Sequence, residues 1–96
     1  MMQKLEQILP TSKTCYLVEW GGRSCIVDER KAPENGSTVL LDMSGMYEWG
    51  VTLFHPRRIV TDDGLTLEDD LLEDVAIVGV VTYEVSRVYE DQLPII

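Results

Sequence analysis

The serines and lysines of this chain are candidates for catalysis, because a serine hydroxyl beside a neutral lysine amine can cleave peptide bonds. Ser12 and Lys13 are adjacent, and Lys31 lies in a polar stretch. Neighbouring residues of an extended segment point to opposite faces, so Ser12 and Lys13 cannot hydrogen-bond as a dyad. Nothing near Lys31 would desolvate its amine, which is what lowers the pKa of a catalytic lysine. We therefore expect all three side chains to be solvated.

The two cysteines and the single histidine form a second reactive set. Cys15 and Cys25 lie ten residues apart, and His55 is distant from both in the sequence. A structural zinc site needs four ligands, and no signature of a cysteine peptidase flanks either thiol. The sequence therefore predicts small, buried or half-buried free thiols in a reducing compartment, and no metal or other cofactor.

Acidic residues dominate the charge balance. Seventeen aspartates and glutamates oppose eight lysines and arginines, which gives a net charge of −9. Direct nucleic-acid binding is not expected, because phosphate contacts need clustered lysine and arginine side chains. Asp62-Asp63-Gly64 is typical of a turn rather than of a catalytic carboxylate pair. The acidic run at 68–74 indicates a solvated face, since it lacks the ligand spacing of an EF-hand calcium loop.

The length of the chain predicts a single small domain. Ninety-six residues suffice for one hydrophobic core. We expect residues 1–13 to be a lead-in, either disordered or one helical turn, and residues 14–96 to form the domain. No apolar run approaches the roughly 20 residues that a membrane-spanning helix needs, so we expect a cytoplasmic protein without membrane contact.

Apolar runs separated by glycines predict a mainly β fold. Residues 14–20 and 23–28 flank Gly21-Gly22, which suits the type I′ turn of a hairpin. Residues 35–54 form a second hairpin around Ser44-Gly45. We expect these hairpins to build a small, bent, partly closed antiparallel sheet with little helix.

The last long element begins as a run that is apolar on both faces. Residues 75–81 are typical of a central strand that is covered on both sides. From Thr82 the pattern alternates and leaves one apolar side near the chain end, where a partner could cover it. Ahead of this strand, Thr66 is a candidate cap for one helical turn at 68–74, whose inward residues would be Leu71, Leu72 and Val75.

The order of these features resembles the carboxy-terminal domain of the LexA/UmuD family, which are serine–lysine self-cleaving peptidases related in fold to signal peptidases. The resemblance runs from Gly22 to Val88, roughly two-thirds of the chain. Its pieces are a strand that ends in Val-Asp, a hydrophobic strand after Asn-Gly, an aromatic strand and a Val-Gly-Val-Val strand, here 22–28, 35–41, 47–53 and 76–83. The resemblance implies a signal-peptidase-like fold, dimerisation through this domain, and a place in phage- or plasmid-borne or DNA-damage-response (SOS) regulation.

The chain departs from this family at the catalytic positions. The family's lysine precedes a leucine near the end of the aromatic strand, and here Leu53 matches that leucine with Val51 and Thr52 before it. Neither of these two side chains can act as a general base. The family's serine corresponds to the neighbourhood of Ser12 and Lys13, where the flanking Gly and Met of the family pattern are missing. The Ala-Gly or Cys-Gly bond that the family cleaves is also missing from the sequence.

These observations predict a non-enzymatic relative that serves as a homodimerisation or protein-interaction module. The sequence does not identify the partner protein. The half-apolar strand near the chain end supplies the candidate interface, which consists of Thr82, Tyr83, Val85, Arg87 and Val88.

Two alternatives remain open. The negative charge suits a decoy that imitates DNA phosphates and binds a basic DNA-binding protein, and residues 62–74 supply a dense acidic run. The other alternative is an active self-cleaving peptidase with a relocated dyad. Trp20 and Trp49 are expected in the core or at an interface, since no basic groove accompanies them.

Overall fold

The computed structural model describes residues 13–85 in full and the backbone of Gln7–Pro10. Within these residues the chain forms one antiparallel sheet with the strand order β1-β2-β3-β8-β4-β5-β6-β7, and no ladder joins the two outer strands. The predicted mainly β, antiparallel fold with little helix is therefore confirmed. None of the described helical residues form a helix long and apolar enough to cross a membrane. The elements are β1 (Gln7–Pro10), β2 (Cys15–Trp20), β3 (Arg23–Asp28), β4 (Thr38–Met43), β5 (Met46–Leu53), β6 (Arg58–Thr61), β7 (Thr66–Glu68), a 3₁₀ helix (Asp69–Asp74) and β8 (Ala76–Val85).

The N-terminal segment contains a strand, where the sequence predicts a helical turn or a disordered lead-in. β1 runs antiparallel to β2, with Ile8 opposite Val18 and Leu9 opposite Leu17. The edge of β2 offers backbone partners to β1, and such tertiary pairing outweighs a weak local propensity. The other residues of the predicted lead-in, except Lys13, lie outside the described residues, as do 86–96.

Both predicted hairpins have the tight turns that their glycines indicate. Gly21 and Gly22 join β2 to β3 and adopt φ angles of 61° and 79°. Ser44 and Gly45 join β4 to β5 and adopt φ angles of 58° and 92°. Positive φ at both central residues is the type I′ geometry, whose twist matches that of the flanking strands. The type I′ prediction for the first turn is confirmed.

β8 is a central strand, as its apolar residues on both faces predict, but the predicted cover on both sides is incomplete, because Ala76 and Val78 are exposed. It lies between β3 and β4 in the sheet. Two residues of β8 have no partner in one of its ladders. Val78 is the extra residue opposite the pair 40–41 of β4, and Thr82 is the extra residue opposite the pair 26–27 of β3. Bulges of this kind bend a strand and increase its twist. β8 therefore carries much of the bend of the sheet.

The bent sheet buries two hydrophobic cores. The first core consists of Val18, Cys25, Val27, Leu40 and Trp49. The second core consists of Val39, Leu41, Ile59, Leu67 and Val80. Successive residues of a strand point to opposite faces, so β4 contributes side chains to both cores. The sheet is consequently covered on one face near β2 and β3, and on the other face near β6 and β7.

Two tryptophans tie β2 to β5 across the first core. The indole N–H of Trp20 donates to the Tyr47 carbonyl at 3.0 Å, and the indole N–H of Trp49 donates to the Trp20 carbonyl at 2.9 Å. β2 and β5 are not neighbours in the sheet. The five strands β2, β3, β8, β4 and β5 therefore curl into a half-barrel, which side chains rather than a strand ladder hold together at one end.

The acidic helical turn differs from its prediction in cap and in inward face. The 3₁₀ helix follows Glu68 with no side-chain cap, and Thr66 belongs to β7. Leu72 and Val75 pack against the second core as predicted, whereas Leu71 is exposed, contrary to the prediction. A 3₁₀ helix has three residues per turn, so two residues three apart share a side and the residue before them does not.

Candidate functional site

Thr52 and Val51, which the resemblance matches to the LexA/UmuD lysine position, lie near the end of β5. The Thr52 side chain is only 3% exposed. Its hydroxyl lies 2.7 Å from the Glu34 carbonyl, to which it donates, and 3.3 Å from the Ser37 carbonyl. The backbone of Thr52 also pairs with this loop, because its carbonyl accepts from Gly36 and its N–H donates to Ser37. Thr52 therefore fastens the loop at 34–37 to β5, and its hydroxyl proton is already engaged.

A cleft of about 310 Å³ opens beside Thr52. Pro33, Phe54, Arg57 and Ile77 line it together with Thr52. Among these residues Arg57 is the only titratable one, and a guanidinium keeps its proton at any ordinary pH. The described lining can bind an apolar group or an anion, but it offers no proton acceptor for activating a nucleophile.

The structure does not bring together the remaining serines and lysines of the described part of the chain. Lys13 and Lys31 are both exposed, as the sequence predicts. The Ser24 hydroxyl donates to a Glu19 carboxylate oxygen at 3.2 Å, and the Ser37 hydroxyl accepts from the Glu34 N–H at 2.7 Å. Ser12, the doubtful nucleophile position, lies outside the described residues.

The two thiols and the imidazole differ in their burial. Cys25 is fully buried in the first core, and burial, followed by the negative charge of Glu84, raises the pKa of its thiol to about 11. A thiol with so high a pKa is protonated at neutral pH and is a weak nucleophile. Cys15 is half-buried, so the prediction of buried or half-buried thiols is confirmed. His55 is exposed in the turn after β5 and meets the Phe54 ring edge-on at 6.5 Å.

Arg23 forms a charged cluster that joins three distant parts of the chain. Its guanidinium binds both carboxylate oxygens of Glu84 on β8, at 2.9 and 3.1 Å, and reaches Asp62 in the β6–β7 turn at 3.0 Å. The guanidinium carbon also lies 5.4 Å from the centre of the Trp49 ring. The hydrogen bond from Arg23 lowers the pKa of the Glu84 carboxyl. No local sequence signal marks this cluster, because its members are 39 and 61 residues apart.

The end of β8 presents the predicted interface residues to solvent. Thr82, Tyr83 and Val85 are exposed, and Tyr83 is 66% exposed. The ladder with β4 covers β8 only as far as Val80, so among the described residues the stretch 81–85 pairs with β3 alone. One backbone edge of this stretch therefore has no described strand partner. Arg87 and Val88 lie outside the described residues.

The acidic residues do not gather into a metal site. Asp62 and Asp63 occupy the predicted turn, which ends at Gly64 with a φ of 93°. Within the part of the chain that the structure describes, no group of three or more His, Cys, Asp or Glu side chains is arranged to hold a metal ion.

Comparison of the chain with protein-family models, with curated proteins and with solved structures gives no match.

Proposed function

We propose that this protein is a non-catalytic module of LexA/UmuD type that forms a homodimer through the free edge of β8. The observation that carries the proposal is the unpaired backbone edge at 81–85 with two exposed apolar side chains, Tyr83 and Val85, beside it. Unpaired strand edges are templates for pairing with another chain. An antiparallel strand can pair with a second copy of itself about a twofold axis, which is the commonest symmetry of homodimers.

Electrostatics favour this edge as the contact between two copies. Each copy carries a net charge of −9, so a contact rich in free carboxylates would be repulsive. The acidic residue of the stretch, Glu84, is already paired with Arg23. The edge is therefore a place where two acidic copies can meet without adding unpaired negative charge to the contact.

The engaged hydroxyl of Thr52 supports the non-catalytic part of the proposal. A serine–lysine peptidase needs a neutral amine at this position, and here the side chain donates its proton to the Glu34 carbonyl. The order of strands and turns that resembles the LexA/UmuD domain supports a role in phage-, plasmid- or damage-related regulation. In that role the dimer would bind a further protein, which affinity capture from the native host followed by mass spectrometry would identify.

Substituting Tyr83 tests the dimer. Tyr83→Asp places a charge at the centre of the proposed contact, and we expect the protein to change from dimer to monomer in sedimentation velocity or light-scattering chromatography. Leu71→Asp is the matched control, because Leu71 is also an exposed apolar residue but lies on the 3₁₀ helix. The control should remain dimeric. Added salt should not dissociate the wild-type dimer, since it screens the repulsion between two acidic copies. An unchanged dimer in Tyr83→Asp would refute this interface.

A second candidate function is the acidic decoy, and one observation favours it. All seven acidic residues between 62 and 74 are exposed, and this segment contains no lysine or arginine. Such a surface would bind a basic DNA-binding protein with an affinity that falls steeply as salt rises. Charge reversal at Asp69 and Asp70 to lysine should abolish that binding and leave the β8 dimer intact. The same two substitutions would leave partner binding unchanged if the β8 edge is the binding surface.

A further inference from the structure

The half-barrel contains a small cavity that the proposed dimer does not use. Its floor is formed by Val18, Val27 and Leu40, which are buried residues of the first core. Tyr16, Tyr47 and Val78 form its sides, and Glu29 stands at its rim. The volume is about 180 Å³. Tyr83 pairs with Ile26, which alternates with the first-core residues Cys25 and Val27, so the proposed dimer contact lies on the opposite face.

We propose that this cavity binds a small organic ammonium cation whose apolar body is the size of a benzene ring or a branched alkyl group. The size follows from the volume, because an engineered apolar cavity of about 150 Å³ binds benzene. Ligand sites in proteins are mostly apolar, with a few placed polar groups that select the ligand. Here the apolar floor receives the body and the Glu29 carboxylate receives the ammonium group.

Charge complementarity selects a cation over a neutral or anionic ligand. Among the described lining residues Glu29 is the only carboxylate, and none is a lysine, arginine or histidine. Its backbone N–H donates to the Thr14 carbonyl at 2.9 Å, which holds the residue at the end of β3 beside the cavity. The net charge of −9 adds a field that concentrates cations and repels anions. The two tyrosines add rings whose faces and hydroxyls favour ammonium groups.

Three probes of similar shape and different charge test the proposal with the full chain. They are 2-phenylethylammonium, neutral 2-phenylethanol and anionic 3-phenylpropanoate, each titrated at neutral pH into nitrogen-15-labelled protein and followed by amide chemical shifts. We expect saturable shifts at the lining residues for the ammonium probe, with about fivefold weaker binding of the alcohol, as an ion pair to an exposed carboxylate predicts at most. The anion should cause no shifts there. Equal binding of the ammonium probe and the alcohol, or shifts that map elsewhere, would overturn the proposal.

Two substitutions separate the ion pair from the cavity. Glu29→Gln should lower the affinity for the ammonium probe to that for the alcohol and leave the affinity for the alcohol unchanged. Val78→Phe should block both probes, because Val78 is exposed at a bulge and a larger ring there fills the cavity. Glu34→Gln is the matched control, since Glu34 is an exposed carboxylate that does not line the cavity. Unaltered ammonium binding in Glu29→Gln would refute the assignment, and the dimer test at Tyr83 is independent of this result.

Discussion

At the scale of one residue, Thr52 has a structural role at the position that the resemblance matches to a lysine. The family resemblance places a lysine here, whereas the observed hydroxyl is buried and bonded to a loop carbonyl. A buried hydroxyl is tolerated only when it has such a partner. The side chain thus contributes to the attachment of the loop at 34–37, and no base is needed to explain its presence.

Replacing Thr52 by valine tests that structural role. Thr52→Val keeps the shape and removes the donor to Glu34, so we expect the free energy of unfolding to fall by about 1 kcal/mol. The measurement is urea denaturation. Thr66→Val is the control, because Thr66 is exposed on the edge strand β7, and it should change stability by less than about 0.5 kcal/mol. Equal effects of the two substitutions would contradict the role assigned to the Thr52 hydroxyl.

Arg23 gives the stability of the protein a dependence on pH. Its hydrogen bond lowers the pKa of Glu84 in the folded state. A carboxyl with a depressed folded pKa stabilises the protein above its unfolded pKa of about 4.3, and the contribution is lost as pH falls through the folded value. The three side chains are partly exposed, so solvent screening keeps the pair interactions small.

Replacing Arg23 by methionine should therefore destabilise the protein by about 1 kcal/mol at neutral pH. The difference from wild type should shrink toward zero below the titration range of Glu84. Thermal unfolding across the acid range measures this, with Arg57→Met as a control at an exposed arginine outside the cluster. A difference that stays constant down to strongly acidic pH would show that Arg23 acts by packing on Trp49 instead of by charge.

At the scale of elements, the half-barrel depends on two indole groups that bridge strands which are not neighbours. Trp20 donates to β5 and Trp49 donates back to the end of β2. Both bonds span the same opening, so each helps to hold the other in place. In a closed barrel a strand ladder would join β2 to β5. At this end of the first core the two indole hydrogen bonds make that connection.

Conservative substitution of the indoles tests this bridge. Trp20→Phe removes the bond to the Tyr47 carbonyl and should cost about 1 kcal/mol in unfolding free energy. Trp49→Phe should cost more, because Trp49 is also a buried member of the first core. We expect the double variant to lose less than the sum of the two, which a double-mutant cycle measures. Tyr16→Phe serves as a control for an aromatic side chain packed on the same core.

The elements that local chemistry determines were predictable from the sequence. Gly-Gly and Ser-Gly supply the positive φ angles of the two tight turns, and the doubly apolar run of β8 indicates a central strand. β1 and the bulges at Val78 and Thr82 depend on pairing with distant strands, so no local sequence pattern predicts them. The cluster around Arg23 and the cavity beside Glu29 arise in the same way from contacts between segments far apart in sequence.

At the scale of the whole molecule, the arrangement of charges and clefts bears on whether the chain cuts itself. The described lysines are exposed, the buried thiol is protonated, and the described lining of the cleft at Thr52 offers no proton acceptor. The proposal of a non-catalytic role rests on these features. The half-barrel cavity lies on the opposite face from Tyr83, whereas the proposed dimer edge and the acidic segment meet where Arg23 binds both Glu84 and Asp62. Substitutions at Tyr83, at Asp69 and Asp70, and at Glu29 leave that contact in place.

Intact-mass measurement tests the absence of self-cleavage. Purified protein incubated for days at mildly alkaline pH, where lysine amines begin to lose their protons, should keep its full mass. The control is a parallel sample held at neutral pH with peptidase inhibitors, which identifies cleavage by contaminants. A single specific product that forms faster at alkaline pH, at a rate independent of protein concentration, would establish a relocated dyad.

The place of β8 in the sheet has a consequence for how the protein is made. Apart from the ladders with β8, the strands β1 to β3 pair only among themselves, and so do β4 to β7. β8 follows them in the chain and joins the two groups. During synthesis the nascent chain therefore carries two unjoined halves, each with apolar side chains open to solvent, until the residues of β8 have left the ribosome. β8 can then pair with β3 and β4 in one late step, and we expect the chain to become resistant to proteases only at that point.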